Sequence, residues 1–183
     1  MVDHFTVAYY FEKLEFAAAS VFVAAGLDPT ESNAPHMTGC QTEFSKELRK
    51  GDIYHVESMR LADAKLGHRL INSVTGEVCT HFEQTLSASV PDFPGADAQW
   101  DGPDQKPADF VEEGPHWHDT AADVMTSRDC GLNGNLSASA VIHRFSAGNE
   151  HLRALFGMTP AYAEAANVGF STFSFDLVCS GNA

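Results

Sequence analysis

The segment from Val7 to Ala25 follows the periodicity of an amphipathic α-helix. Apolar residues recur three or four positions apart, at residues 7, 10, 11, 14, 18, 21, 22 and 25. Gly26 supplies a stop at the C-terminal end, and Pro29 lies beyond it. The pattern predicts a helix that is buried along one face, which constrains whatever follows to cover that face.

After this helix the hydrophobic period changes from about 3.6 to about 2 residues. Four stretches have the strand pattern: MTGCQTEF at 37–44, GDIYHVESMRLADA at 51–64, HRLINSV at 68–74 and EVCTHFEQTLSASV at 77–90. Short turns join the last three of them. One helix followed by strands in this order predicts an α+β fold, with an antiparallel sheet packed on the helix.

The second half of the chain repeats part of this order after an interruption. Residues 91–115 are dense in Pro, Gly and Asp, which indicates a linker. The pattern beyond predicts a short strand in 120–129, a helix in 136–158 and a strand in 167–178.

An internal repeat relates the two predicted helices. Aligning Gly26-Leu27-Asp28-Pro29 with Gly157-Met158-Thr159-Pro160 places Thr6 on Ser137, Ala8 on Ser139, Phe11 on Ile142, Lys13 on Arg144 and Leu14 on Phe145. Upstream, Asp3 falls opposite Asp129 once five extra residues of the second copy are allowed for. A repeat of this length predicts two related structural units instead of a single helix packed on a single sheet.

An aspartate, a turn, an apolar helix ending in Gly and then antiparallel strands form the order of the hot-dog fold. VDHFTVAYYFEKLE and SRDCGLNGNLSASAVIHRFS are similar to the element before the central helix in the acyl-CoA and acyl-carrier-protein thioesterase superfamily. The chain therefore resembles a double, or tandem, hot-dog protein of that superfamily. The resemblance implies an antiparallel sheet wrapped around a long central helix, in two tandem units of which the second is incomplete.

The expected units are 1–90 for the first and 116–183 for the second, with the linker 91–115 between them. The second unit has one strand after its helix, where the resemblance implies three more. An open strand edge at GFSTFSFDL would invite pairing with another chain, so we expect a homo-oligomer.

The resemblance also implies where chemistry would occur. Hot-dog thioesterases use a carboxylate near the central helix as base or nucleophile, and backbone N–H groups at the start of the helix hold the oxyanion. By position, Asp129 is the candidate base or nucleophile and Asn133 the residue that orients substrate or water. Asn135 occupies the position of the family's histidine, and an amide cannot transfer protons in its place. Asp, Asn and Gly before a helix are also ordinary turn and capping residues.

Three further residues are candidates. Asp3 is the counterpart of Asp129, although its turn is shortened to one residue. Glu12 and His143 coincide in the overlay and lie in the first turns of their helices, where a related branch of the family has its carboxylate. A helical Glu is otherwise a solvated residue.

The pair His116 and His118 has the spacing for a metal on a strand, but we expect no metal site.

Composition excludes several classes of function. The net charge of −14 argues against binding nucleic acid or an anionic membrane, since both need concentrated Lys and Arg. The longest apolar run, from Phe16, is too short to span a bilayer, and no CxxC motif occurs among the four cysteines. We expect a cytoplasmic protein with reduced thiols.

The expected function is hydrolysis of an acyl thioester of coenzyme A or of an acyl-carrier protein. No cofactor is expected beyond coenzyme A as part of the substrate, and the acyl chain would lie between the two central helices. Two alternatives stay open: a non-catalytic protein that binds acyl thioesters or serves in assembly, and a hot-dog dehydratase or hydratase. The last would need a His paired with an acid at the same interface.

Overall fold

The structure is a computed structural model that describes residues 6–95, 99–102, 122–167 and 171–179. Its first element is the helix α1, Val7–Ala24, where the sequence pattern predicts a helix. Thr6 is the N-cap, and Gly26 follows the helix with a φ of 78°, a left-handed conformation that favours glycine. The buried face of α1 consists of Ala8, Tyr10, Phe11, Leu14, Ala18, Val21 and Phe22.

Four strands follow α1 and confirm the antiparallel sheet. They are β1 Met37–Phe44, β2 Tyr54–Ala62, β3 Lys65–Asn72 and β4 Val78–Leu86. A fifth strand, β5 Ser174–Val178, comes from the end of the described chain. The order across the sheet is β2-β3-β4-β1-β5, with every neighbouring pair antiparallel. The α+β class predicted from the sequence is therefore confirmed.

The core lies between α1 and the sheet in two neighbouring clusters. One joins Phe11 and Leu14 of α1 to strand residues such as Leu70 and Phe82. The other joins Val21 and Phe22 to Leu66, Leu86, Val90 and Phe93. Burying these side chains removes a large apolar area from water, which is the main source of stability for a helix on a sheet.

The second helix, α2 Ala138–Leu155, packs against α1. It is shorter at both ends than the predicted 136–158. Its N-cap is Ser137, and Gly157 follows it with a φ of 73°. Both helices thus have 18 residues, and their capping residues Thr6 and Ser137 are the pair that the sequence overlay matches. The tandem arrangement and the unit boundaries stay predictions.

Parts of the second half differ from the sequence prediction. The strand predicted in 120–129 is wrong over the described residues, because residues 122–126 are irregular and Ser127–Asp129 form a short 3-10 helix. The capping box between Thr126 and Asp129 fixes that helical turn instead of an extended chain. A third helix, α3 Pro160–Ala166, was not predicted. Of the strand expected in 167–178, the structure shows β5, while residues 168–170 lie outside the described residues. Most of the linker lies outside the described residues.

Residues 99–102 cover part of the outer face of the sheet, over β3 and β4. The Trp100 ring packs against Gly67, where a Cβ atom would come within 2.7 Å of it, so only glycine fits there. Trp100 also contacts the His81 ring edge-on, and Asp101 binds Arg69 at 3.0 Å. The His81 side chain is therefore mostly covered.

None of the helices in the described part of the chain is long and apolar enough to cross a membrane.

Truncation of Ile142 tests the packing of α2. This side chain is fully buried in the core cluster that contains Phe11 and Leu14. We expect Ile142→Ala to lower the free energy of unfolding by about 2–5 kcal/mol, because the cavity cannot close completely. Leu155→Ala, at an exposed position of the same helix, is the matched control and should change it by less than about 1 kcal/mol. Equal effects of the two variants in urea unfolding would contradict the packing.

Candidate functional site

The candidate site lies where α1 meets the start of α2. We call it the helix junction and define it by Glu15, Ser137, Ala138 and Ser139. One carboxylate oxygen of Glu15 accepts a hydrogen bond from the backbone N–H of Ala138 at 2.6 Å. The other accepts from the hydroxyls of Ser139 at 2.9 Å and Ser137 at 3.3 Å. A carboxylate on one helix therefore faces the N-terminus of the other.

The start of α2 explains why a carboxylate is held there. The first N–H groups of a helix have no partner within the helix, and the helix dipole places partial positive charge on them. Ser137 satisfies the N–H of Ala140 through its hydroxyl at 3.1 Å and that of Val141 through its carbonyl at 3.3 Å. The remaining N–H groups, of Ala138 and Ser139, are directed at Glu15.

Contacts between the helices fix their relative direction. Glu15 meets residues at the start of α2, whereas Tyr9, earlier in α1, packs edge-on against His143, later in α2. The two helices therefore run antiparallel, and the middle of α1 lies against the beginning of α2. This arrangement is what brings a residue nine positions after the α1 N-cap to the α2 N-terminus.

Glu15 is mostly buried, and its ionisation is altered by the junction. Burial raises the pKa of the Glu15 carboxyl, and this exceeds the opposing effect of the hydrogen bonds from Ser139, Ala138 and Ser137. A carboxylate with a raised pKa accepts a proton more readily at neutral pH than an exposed one does. Such a group beside directed N–H donors has the properties required of a general base.

Asp129 lies outside this junction and is already bonded at both oxygens. Oδ2 accepts hydrogen bonds from the backbone N–H of Thr126 at 2.6 Å and from its hydroxyl at 2.9 Å. Oδ1 accepts from Nη1 of Arg144 at 2.8 Å. The hydrogen bond from Arg144, followed by those from Thr126, holds the pKa of Asp129 well below its usual range. Asp129 thus ties the loop before α2 to the helix, and its catalytic role stays a prediction.

Asn133 and Asn135 form part of a tight loop between Cys130 and Leu136. The side-chain oxygen of Asn133 accepts the backbone N–H of Asn135 at 3.1 Å, as in an Asx turn. The carbonyl of Asn135 accepts the N–H of Gly131 at 2.8 Å, and Cys130 and Leu136 form an isolated bridge. These contacts shape the entry to α2, and neither side chain is shown at the helix junction.

The other candidates are not brought together. Glu12 pairs with Lys13 at 3.0 Å, and His143 packs on the Tyr9 ring. Within the described ranges no hydrogen bond or ion pair joins Glu12 to His143, so the His and acid pair that a dehydratase needs is not observed there. Asp3 lies outside the described residues.

The pair His116 and His118 lies outside the described residues. Over the rest, no group of three or more His, Cys, Asp or Glu residues is placed to hold a metal ion.

Sequence reasoning missed Glu15. It stands between Leu14 and Phe16, and in the overlay it falls on Ser146, so no repeated feature marked it. A usable signal was its isolation: beyond Glu15 the helix carries no further charged residue up to its end. A lone carboxylate at the margin of an apolar helix face needs a partner, and the N-terminus of another helix is a suitable one.

Comparison with known proteins concerns the fold. No protein-family model matches the sequence, and no curated protein matches it. A provisionally assigned oleoyl thioesterase from Lactobacillus plantarum has a similar structure, with a TM-score of 0.59 and 12% identity over 85% of this chain and 67% of that chain.

Two shorter likenesses have TM-scores below 0.5 and support no functional conclusion. A provisionally assigned thioesterase from Pseudomonas putida KT2440 gives 0.43 at 21% identity, over 51% of this chain and 69% of that chain. A Thermus thermophilus thioesterase in complex with coenzyme A and zinc gives 0.40 at 17% identity, over 51% of this chain and 80% of that chain. The antiparallel sheet with its packed helix is consistent with the hot-dog α+β fold, and the Lactobacillus plantarum structure has a similar fold.

Proposed function

We propose that the chain hydrolyses acyl thioesters at the helix junction, with Glu15 as the carboxylate that activates water. The observation that carries this proposal is the position of the Glu15 carboxylate, 2.6 Å from the backbone N–H of Ala138 at the start of α2. A basic group and N–H donors for an oxyanion then lie within one small site, which is what acyl transfer to water requires. The hot-dog fold agrees with this chemistry but does not establish it.

The reaction follows from the chemistry of these groups. Glu15 accepts a proton from a water molecule as the water oxygen attacks the thioester carbonyl carbon. The carbonyl oxygen becomes negatively charged and accepts hydrogen bonds from the N–H groups of Ala138 and Ser139. The C–S bond then breaks, and the leaving thiolate takes the proton from Glu15. The products are a carboxylic acid and a thiol.

Substrate binding requires the thioester carbonyl to take hydrogen-bond donors that Glu15 uses in the structure. In the structure its two oxygens accept from Ala138 N–H and from the hydroxyls of Ser137 and Ser139. A thioester carbonyl that takes the Ala138 N–H leaves the Glu15 carboxylate to the hydroxyls and to water. The helix dipole favours negative charge at this position whether it is carried by the carboxylate or by the oxyanion.

The substrates in this proposal are thioesters of coenzyme A or of an acyl-carrier protein, with the acyl group between α1 and α2. Glu15 takes the role that the sequence assigned to Asp129, because Asp129 is committed to Arg144 and Thr126. If Glu15 serves only to cap α2, the chain is instead a non-catalytic binder of acyl thioesters, and loss of Glu15 would affect stability alone.

Replacement of Glu15 tests the proposal. We expect Glu15→Gln to lower kcat for acyl-CoA hydrolysis by about 10²–10⁴-fold, because an amide cannot accept the proton from water. The measurement is release of free thiol from a panel of acyl-CoA and acyl-carrier-protein thioesters, with circular dichroism to show that the variant is folded.

Two variants serve as controls for Glu15→Gln. Glu12→Gln alters a partly exposed carboxylate on the same helix and should leave kcat within about threefold. Asp129→Asn tests the other carboxylate that was a candidate for the base. We expect this change to destabilise the loop before α2 without abolishing turnover. A large loss with Asp129→Asn and none with Glu15→Gln would reverse the assignment, and no turnover with any thioester would favour the binding protein.

The pH dependence offers a further test with two readouts. Since only ionised Glu15 is a base, kcat/KM should rise with pH through a pKa above the ordinary glutamate value of 4.5, and Glu15→Gln should lack this rise. Stability should change in the opposite direction. Because the pKa of Glu15 is higher in the folded than in the unfolded chain, its contribution is complete below the unfolded value and lost as pH rises through the folded one.

Urea unfolding of the parent and of Glu15→Gln over this pH range provides the second readout. The parent should lose stability relative to the variant as pH increases. A stability difference that is constant with pH would show that the carboxyl of Glu15 has an ordinary pKa.

A further inference from the structure

A cleft of about 420 Å³ lies between α1 and the edge strand β2, away from the helix junction. Its walls are mainly apolar, from Phe16, Val21, Val56 and Phe93 among others, and its polar lining includes Lys13 and Ser58. On a helix with 100° between successive residues, Lys13, Ser20 and Ala24 project roughly opposite Glu15. The cleft is therefore separate from the site proposed for hydrolysis.

A row of hydrogen bonds runs from this cleft into the core. Ser58 on β2 bonds the Nδ1 atom of His68 on β3 at 2.8 Å, and the Nε2 atom of His68 bonds Oε1 of Gln84 on β4 at 3.3 Å. His68 and Gln84 are buried, while Ser58 lines the cleft. Buried polar side chains lose their contact with water and need hydrogen-bond partners instead. Here the row of partners ends at the cleft, and this position needs an explanation.

The direction of these hydrogen bonds is assigned from the orientation of the Gln84 amide, which presents its oxygen to His68. Its Oε1 atom can only accept, so Nε2 of His68 carries the hydrogen and Nδ1 is the acceptor. Complete burial lowers the pKa of His68 to about 4, which keeps the imidazole neutral near pH 7. Ser58 therefore donates its only hydrogen to His68. What its hydroxyl presents to the cleft is an oxygen that accepts hydrogen bonds.

Lys13 supplies the second polar feature of the cleft. Its ammonium donates to Glu12 at 3.0 Å and also hydrogen-bonds the Tyr54 side chain. Burial acts to lower the pKa of Lys13, but these partners outweigh it and raise the pKa overall, so the group stays charged. An ammonium has three N–H groups, which leaves one donor for a ligand anion.

We propose that this cleft binds a carboxylic acid that has an apolar chain and a hydroxyl group. The carboxylate pairs with Lys13, the chain lies on Phe16, Val21, Val56 and Phe93, and the hydroxyl donates to Ser58. A cleft of this size is within the range of small-molecule sites. The acceptor role of Ser58 sets the specificity, because a ketone oxygen in the same place would face another acceptor. The site is independent of the hydrolysis proposed for the helix junction.

The experiment measures binding to the full chain by isothermal titration calorimetry at pH 7. The probes are decanoate and two series of derivatives, hydroxydecanoates and oxodecanoates, with the substituent at successive positions along the chain. We expect the best hydroxy acid to bind about fivefold more tightly than decanoate, as one net hydrogen bond allows. We expect the matching oxo acid to bind more weakly than decanoate.

Variants show which side chain is responsible for each part of the binding preference. Ser58→Ala should bring the ratio between hydroxy and unsubstituted acid to about one, whereas Lys13→Gln should weaken all the acids by about fivefold without changing that ratio. Ser73→Ala is the matched control, since Ser73 also hydrogen-bonds a histidine, His55, at 2.8 Å, outside the cleft. Lys46→Gln is the control for charge. Both controls should bind as the parent does.

Three outcomes would overturn the proposal. One is an absence of binding by every acid at millimolar concentration. Another is equal affinity of the parent for hydroxy and oxo acids. The third is a preference that persists in Ser58→Ala, which would place the hydroxyl elsewhere. Because the readout is binding of free acids, it does not depend on whether the chain hydrolyses thioesters.

Discussion

The contact between Glu15 and the start of α2 is the constraint on which the arrangement of the two helices depends. It gives the partly buried carboxylate partners for both oxygens, and it satisfies N–H groups that α2 cannot satisfy itself. It joins the middle of α1 to the beginning of α2, and together with the contact between Tyr9 and His143 it makes the helices antiparallel. In the proposed hydrolysis the same residues would supply the base and the oxyanion donors, so the structural and the chemical roles would require the same residues.

Sequence periodicity was sufficient for the elements that carry the core. Helix α1 and strands β1 to β4 follow from apolar residues at helical and strand spacing, since burial on one face imposes those periods. The strand expected before α2 failed because the capping box of Thr126 and Asp129 outweighs the β-forming residues around it. The pairing of β5 with β1 is a contact between distant segments, which local pattern does not contain.

The candidate site was predicted less well for a related physical reason. The position of Asp129 before a helix suggested it as the base, but its carboxylate binds Arg144. Glu15 became a candidate only through the approach of α2, since its raised pKa results from burial between two helices. The row from Ser58 to Gln84 likewise crosses three strands. In each case the chemistry depends on which distant groups meet, whereas periodicity reports only which residues are buried.

The two helices have the same length and N-caps at overlaid positions, but they differ at the residue that the proposed hydrolysis uses as its base. Glu15 stands nine positions after the N-cap Thr6, and Ser146 stands nine positions after the N-cap Ser137. In an antiparallel pair the equivalent of the helix junction would join Ser146 to the start of α1, and a serine there supplies no base. The pair of helices can therefore form one junction with a carboxylate, at the α2 N-terminus, which is where the proposed hydrolysis would occur.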